Sequence, residues 1–409
     1  MHSASTDQRK SRAADPQAAT AEDRRKRGST IWLVLGGAAG IGGSLLAATV
    51  VAGFAGLAYL QGGADAALAP GIQAISLGAI GVLGLPLLYW ATRVTSQPRG
   101  RIRWWVAAFA AALFFGGLAL GSVAFSRGIL PWVLGPVAHL MAAGGPVVFT
   151  AFLALRQGPI LSNQRGWGHF LAGLWAAPPM AFVLELLILV PAAIVVFVGL
   201  AVSEHGLVLL QAMASADLAN NADVTQLLNG LIGEPIVIGV AIGFLAAAVP
   251  LIEESVKSVS IWPLISRRPS VAQAFLGGVL CGSGYALFES LLLAQPGKDW
   301  IPSMIARAGT PLIHAFGTGL VSWGVVEVVV NRKPLRLLGL YLAAAGIHGM
   351  WNFTALAVGL SGFSLEVGAG LLTPAAAGLV GFSGLAVLLS LSAGALVGVV
   401  GLPRWLDKR

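Results

Sequence analysis

Charge is scarce in this chain. Only 10% of its 409 residues are Asp, Glu, Lys or Arg, while 56% are hydrophobic, against about 25% charged in an ordinary soluble domain. That balance excludes a soluble globular protein. Cysteine is nearly absent too: Cys281 stands alone in an apolar run, which excludes a disulfide framework and a cysteine-rich metal site. No His-Glu-x-x-His occurs, so the usual zinc-protease helix is missing, and no Asp falls within an apolar run long enough to span a bilayer. An aspartyl pair inside the membrane is thereby removed. The net charge of +8 comes from short basic patches between apolar runs, not from an aromatic-studded basic face, so nucleic acid is not an expected partner.

What the chain does have is apolar length. Residues 1–28 are polar, end in Arg24-Arg-Lys-Arg27 and are expected to form a disordered basic cytoplasmic tail. The run from Thr30 to Leu60 exceeds the core of a cleaved signal and reads as a signal anchor; its Gly36-xxx-Gly40 spacing permits close helix packing. Further runs near 71–92, 104–125, 129–155, 168–203, 235–265, 270–294, 303–330, 337–360 and 371–401 each reach the ~20 residues a bilayer requires. The expected fold is therefore all-α, a polytopic transmembrane bundle of about ten spans.

Placing both termini in the cytoplasm leaves only Arg127 and Lys298 in outside loops and Lys257 and Arg307 within spans, with every other basic residue inside. The chain then divides into the tail (1–28), a five-span scaffold (29–203), an extracytoplasmic loop with amphipathic spacing (204–234), a four-span core (235–360) and a last span with a basic end (361–409). The expected location is the cell membrane.

The core holds the rare polar side chains. Leu251-Ile-Glu-Glu-Ser-Val-Lys257 sets two carboxylates and an ammonium in an apolar helix, where each costs roughly 2.5–3.5 kcal/mol to insert, so such groups usually mark a working site. Glu253 and Lys257 share a helix face; Glu254 points about 100° away. Glu289, His314, and His348 with Asn352 follow on the next three spans. At ~1.5 Å per helical residue, counting from each cytoplasmic end puts Glu253 about 21 Å up, Glu289 about 28 Å, His314 about 25 Å, and His348 and Asn352 about 18 and 24 Å. Four helices thus bring their rarest residues to one level. Glu185, Glu327 and Arg307 have no partner assignable from sequence and take structural or interfacial roles, while His139, His169 and His205 lie at the periphery.

A buried glutamate is a competent base for water, and imidazole and carboxamide groups opposite it can donate to a developing oxyanion. Those parts suit amide hydrolysis without a covalent intermediate. Glu253, Glu254, His314, His348 and Asn352 are the candidate catalytic residues, with Lys257 and Glu289 supporting them. No cofactor is required by this scheme. A metal held by Glu253, His314 and His348 also satisfies ligand counting, so zinc stays open. A proton- or cation-coupled transporter is the alternative use of a buried Glu/His cluster, and a non-catalytic membrane adaptor a third.

The ordered set Glu253-Glu-xx-Lys257, Gly282-x-Gly-Tyr-Ala-xx-Glu289, His314 and His348-xxx-Asn352 resembles the PrsW-type intramembrane proteases, relatives of the CAAX prenyl protease and bacteriocin-processing group. The resemblance covers about residues 245–356. It implies that the paired glutamates and the histidines are catalytic. It also implies that the substrates are single-pass membrane proteins, such as anti-sigma factors, cut near the outer face. Tyr285 stands where the family has Phe, and Ser290 where it usually has Asn. The prenyl-protease branch would have Arg at 258 and His at 289, so prenylated peptides are not the expected substrate.

Overall fold

The computed structural model describes residues 16–92, 102–159, 161–216, 221–293, 296–297, 299–367 and 372–408, and among them every regular element is a helix. The elements are α1 (Pro16–Val82), α2 (Gly84–Thr92), α3 (Trp105–Gly121), α4 (Pro131–Gln157), α5 (Asn163–Leu171), α6 (Ala177–Ala201), α7 (Glu204–Ser215) and α8 (Asn221–Gly233). They continue as α9 (Pro235–Gly243), α10 (Val249–Lys257), α11 (Val271–Leu292), α12 (Trp300–Ala306), α13 (Thr310–Val329), α14 (Pro334–Val367) and α15 (Pro374–Asp407). Single π turns join α5 to α6 and α9 to α10.

Among the described residues, eight stretches are long and apolar enough to cross a membrane, where ten spans were expected. Two expected spans are taken up by one stretch, Val34–Pro86. There Gly63, with φ of 75° and ψ of −163°, kinks the chain between two helices, and Gly81 returns to Ile41 and Ser44, so the two expected spans lie on either side of the kink. The expected ninth span lies in α14, which has the length, 34 residues, but is not among the eight. Its glycines, His348 and Asn352 lower its apolarity, so the features that make it interesting chemically also weaken its signature as a span.

Residues 1–15 of the expected tail lie outside the described residues, and helix begins at Pro16. In the loop read as amphipathic, two helices form, α7 and α8, and His205 of α7 bonds to Glu234 beyond α8.

The centre of the bundle is α11. Its start is fixed by a capping box, Ser270 Oγ accepting from Gln273 N–H and Gln273 Oε1 from Ser270 N–H, each at 3.2 Å. One side of α11 packs Phe275, Leu276 and Val279 against Ala315 and Val321 of α13, with Ala344 of α14 and Val399 of α15 in the same buried cluster. Its outer end packs Leu287 and Leu291 with Trp300 of α12 and Ala142 of α4. A third, small cluster joins Ala177 and Ala181 of α6 to Val256 of α10 and Tyr285 of α11. Helix contact inside lipid relies on close van der Waals approach, which small residues permit. A Cβ at Gly282 would lie 2.3 Å from the His314 carbonyl oxygen, and one at Gly278 2.4 Å from that of Thr318. These glycines let the backbones of α11 and α13 touch.

Candidate active site

The paired glutamates sit just after a local fault in their helix. In the π turn Phe244–Ala248 the Val249 N–H bonds back to the Phe244 carbonyl, and the next residue, Pro250, has no N–H to offer. The Leu245 carbonyl is left without a helical donor, and Asn352 Nδ2 supplies one at 3.0 Å. A second tie, Tyr341 O–H to the Leu251 carbonyl at 2.7 Å, holds α14 on the other side of His348. Between the two ties Gly349 brings α14 close, since a Cβ there would meet the Ala246 carbonyl at 2.3 Å. His348 is thereby delivered onto α10.

The Lys257 ammonium is the hub. Its nitrogen lies 2.7 Å from Glu253 Oε2, 2.9 Å from Glu254 Oε1 and 2.5 Å from His314 Nδ1. The ammonium hydrogen-bonds Glu254 and His314 and pairs with the charge of Glu253. With Nδ1 accepting, His314 carries its proton on Nε2 and donates to Glu289 Oε2 at 2.8 Å; Glu289 Oε1 pairs with Arg307 at 3.0 Å. His348 Nδ1–H donates to Glu254 Oε1 at 3.1 Å, which turns its Nε2 lone pair toward Glu253 Oε2, 3.7 Å away. The two imidazoles meet edge to face, centroids 4.7 Å apart. At the end of α10, Cys281 Sγ donates to the Lys257 carbonyl at 3.0 Å, a structural use of the only cysteine.

Burial separates the two glutamates. Glu254 is 0% exposed and Glu253 7%, while the Glu289 side chain is 33% exposed. Glu254 is thus the most enclosed of the three acids and Glu289 the least.

Six of the seven residues named from sequence thus form one network through Lys257, and the seventh, Asn352, holds α14 to α9–α10. Three participants were missed. Arg307 is the counterion of Glu289, and Tyr285 lies with its ring 4.3 Å from Lys257 Nζ. Glu185 continues the Ala177–Ala181 face of α6 by one turn and interacts electrostatically with Glu253, Lys257, Glu289 and His348. A signal for Glu185 existed, the four-residue spacing from Ala181, but nothing in sequence says that this face meets α10. Glu327 is structural, accepting from Trp323, Asn331 and Arg336 at the turn into α14. His139 is likewise spent, between the Leu291 carbonyl and Trp300 Nε1.

Glu253, His314 and His348 offer one oxygen and two nitrogens within 4.8 Å of one another, all buried. One carboxylate and two imidazoles are a donor set of catalytic zinc sites. The Glu253 oxygen lies 3.7 and 3.9 Å from the nearer imidazole nitrogens, close to the ~3.3–3.6 Å edge of a tetrahedron with ligands at ~2.0–2.2 Å. These residues fit a divalent ion, provided Lys257 yields its contact with His314 Nδ1.

Fold and site together define a multi-pass membrane protein with a hydrolytic centre of acids and imidazoles enclosed among its helices. The chain matches the PrsW family of intramembrane metalloproteases over residues 167–379, just over half its length, and belongs to that family. No curated protein and no solved structure matches it. The family is one of proteases, not of transporters or adaptors.

Proposed function

We propose that the protein cuts a peptide bond of single-pass membrane proteins near the outer face of the cell membrane, with Glu253 as the base that activates water. The observation that carries this reading is the asymmetry of the pair. Glu254 is fully buried and tied to Lys257 and His348, whereas Glu253 keeps a little exposure and places its Oε2 between the nitrogens of the two imidazoles. Glu253 takes a proton from water as the hydroxide adds to the acyl carbon, then gives it to the departing amine, so the water is consumed as OH and H. Glu254 orients His348 by its Nδ1–H, as the carboxylate of a triad orients its histidine. The Nε2 of His348, aimed at the same point, donates to the carbonyl oxygen when protonated. His314, set by Lys257 and Glu289, closes the opposite wall. Asn352 has one amide hydrogen on Leu245 and a second left for the substrate backbone.

Where a divalent ion is bound, Glu253, His314 and His348 would hold it, and it would supply Lewis-acid polarisation of the carbonyl. Both termini lie in the cytoplasm on this reading, by the distribution of basic residues. The substrate class includes membrane-anchored regulators of the anti-sigma type.

The test is co-reconstitution in proteoliposomes with tagged single-pass membrane proteins. Wild type releases a fragment, and Glu253→Gln and His348→Ala release none at equal folded amount, a loss of about 10³ or more for removal of the base. Cleavage that persists in Glu253→Gln overturns the assignment of the base. Strong chelation, followed by return of zinc, decides metal dependence.

A further inference from the structure

Tyr285 lies on α11 one turn before Glu289, with 5% of its surface exposed. A buried phenol needs an acceptor, and the carboxylate that acts on it most strongly is that of Glu253, which Lys257 holds at 2.7 Å. The same ring stands 4.3 Å from Lys257 Nζ and 5.5 Å from the His314 ring. With Glu253, Glu254 and His314 close around the ammonium, the aromatic face covers a remaining side of the cation and keeps water from it.

We infer that Tyr285 is a positioning residue of the proteolytic reaction: its hydroxyl fixes the Glu253 carboxylate, and its ring holds Lys257 against both glutamates. This rests on the protease reading and on Glu253 as base. The terminal torsion of a glutamate is broad and roughly two-fold, so a single contact, that to Lys257, leaves the carboxylate free to turn. Lys257 stands one turn along the same helix and moves with Glu253. A second donor from α11 ties the carboxylate to a different helix, which removes that freedom. Misplacement of a reacting group by 1 Å costs about 10²-fold in rate, so the loss belongs in kcat and not in substrate binding.

The experiment uses the full chain in proteoliposomes and a tagged single-pass segment, selected from a library because wild type cuts it and Glu253→Gln does not. Tyr285→Phe keeps the ring and loses only the hydroxyl; kcat is expected to fall about tenfold with KM within about twofold. Tyr285→Leu loses both contacts, and kcat falls about a hundredfold or more. In a Glu253→Asp background, where the shortened carboxylate no longer reaches the phenol, Tyr285→Phe changes kcat by less than about twofold. An equal tenfold loss in that background overturns the inference, because the hydroxyl would then act independently of Glu253. So does an unchanged kcat in Tyr285→Phe, or a change confined to KM. If wild type cuts no segment of the library, the protease reading falls and this inference with it, which is distinct from a chain that cuts but ignores Tyr285.

Discussion

Five glycines along α1 and three of α11 and α13 are the same residue in apolar helices, yet their surroundings differ. A Cβ added at Gly36, Gly42, Gly43, Gly53 or Gly56 of α1 would meet nothing within 4 Å. One added at Gly278 or Gly282 would run into backbone at 2.4 or 2.3 Å, and one at Gly319 into the Phe275 ring at 2.8 Å. In the first region glycine is a lipid-facing spacer; in the second it sets how closely two helices approach. Charge also gathers in the second region. Where α11 and α13 meet α10, Lys257 and Glu254 have partners on α13 and α14, His314 and His348, whereas α6 brings a single acid, Glu185, to the side of this cluster. Close packing and partnered charge therefore occur together, and the site is the place where both are found.

The change expected to break that region most is Lys257→Met. It removes the cation and leaves Glu253 and Glu254 side by side without their shared partner, a loss of about 3–5 kcal/mol for breaking a buried pair. The measurement is the thermal midpoint of unfolding in detergent. A midpoint equal to wild type would mean that the ammonium is not what neutralises the two acids. Lys257→Arg is a weaker repair than it looks, because a planar guanidinium cannot aim at three acceptors arranged around a single nitrogen.

Gly282→Ala comes next. The added methyl must push α13 away from α11 at the carbonyl of His314 itself, an overpacking cost of about 1–3 kcal/mol. Because His314 is anchored at both ring nitrogens, to Lys257 and Glu289, its displacement strains the whole network. Cleavage is expected to fall by about a hundredfold while the protein still inserts, as judged by protease protection of its loops. Normal cleavage in this variant would show that α11 and α13 have slack, and would dissolve the distinction between the two kinds of glycine.

Sequence reasoning reached the site more completely than the fold. The charged residues were legible because lipid makes each of them expensive, and counting along four antiparallel helices brought them to one level before any contact was known. Arg307 was not legible as the partner of Glu289, since two helix ends meeting across a loop leave no periodic trace. Tyr285 was visible only as a departure from the resembled family, and its reach to Glu253 depends on the rotation of α11 about its axis, which hydropathy does not report. The span count suffered from a different blindness. A count of apolar stretches merges the two helices that Gly63 separates, and α14 pays in apolarity for its His348 and Asn352. Pro250 and the π turn ahead of it illustrate the remainder: the proline is plain in sequence, but the carbonyl it frees, and the choice of Asn352 to satisfy it, require the neighbouring helix.

The smallest effect sharpens the comparison within a single helix. Gly36 and Gly40 form the spacing that suggested close packing, yet only one of them is packed: a Cβ at Gly40 would lie 2.1 Å from the Trp175 ring, and one at Gly36 meets nothing. Trp175 belongs to the π turn between α5 and α6, so Gly40 is where α1 touches the helix pair that leads to Glu185. Gly40→Ala must displace an indole held on a short turn, and is expected to lower stability by about 1 kcal/mol and the thermal midpoint by a few degrees. Gly36→Ala adds a methyl to open space and removes a helix-weakening glycine, so stability should be unchanged or higher by about 0.5–1 kcal/mol. Equal effects of the two substitutions would mean that α1 does not rest on that turn, and that its hold on the second region lies in its far half, where Leu77 and Ile80 pack with Leu287 and Leu291.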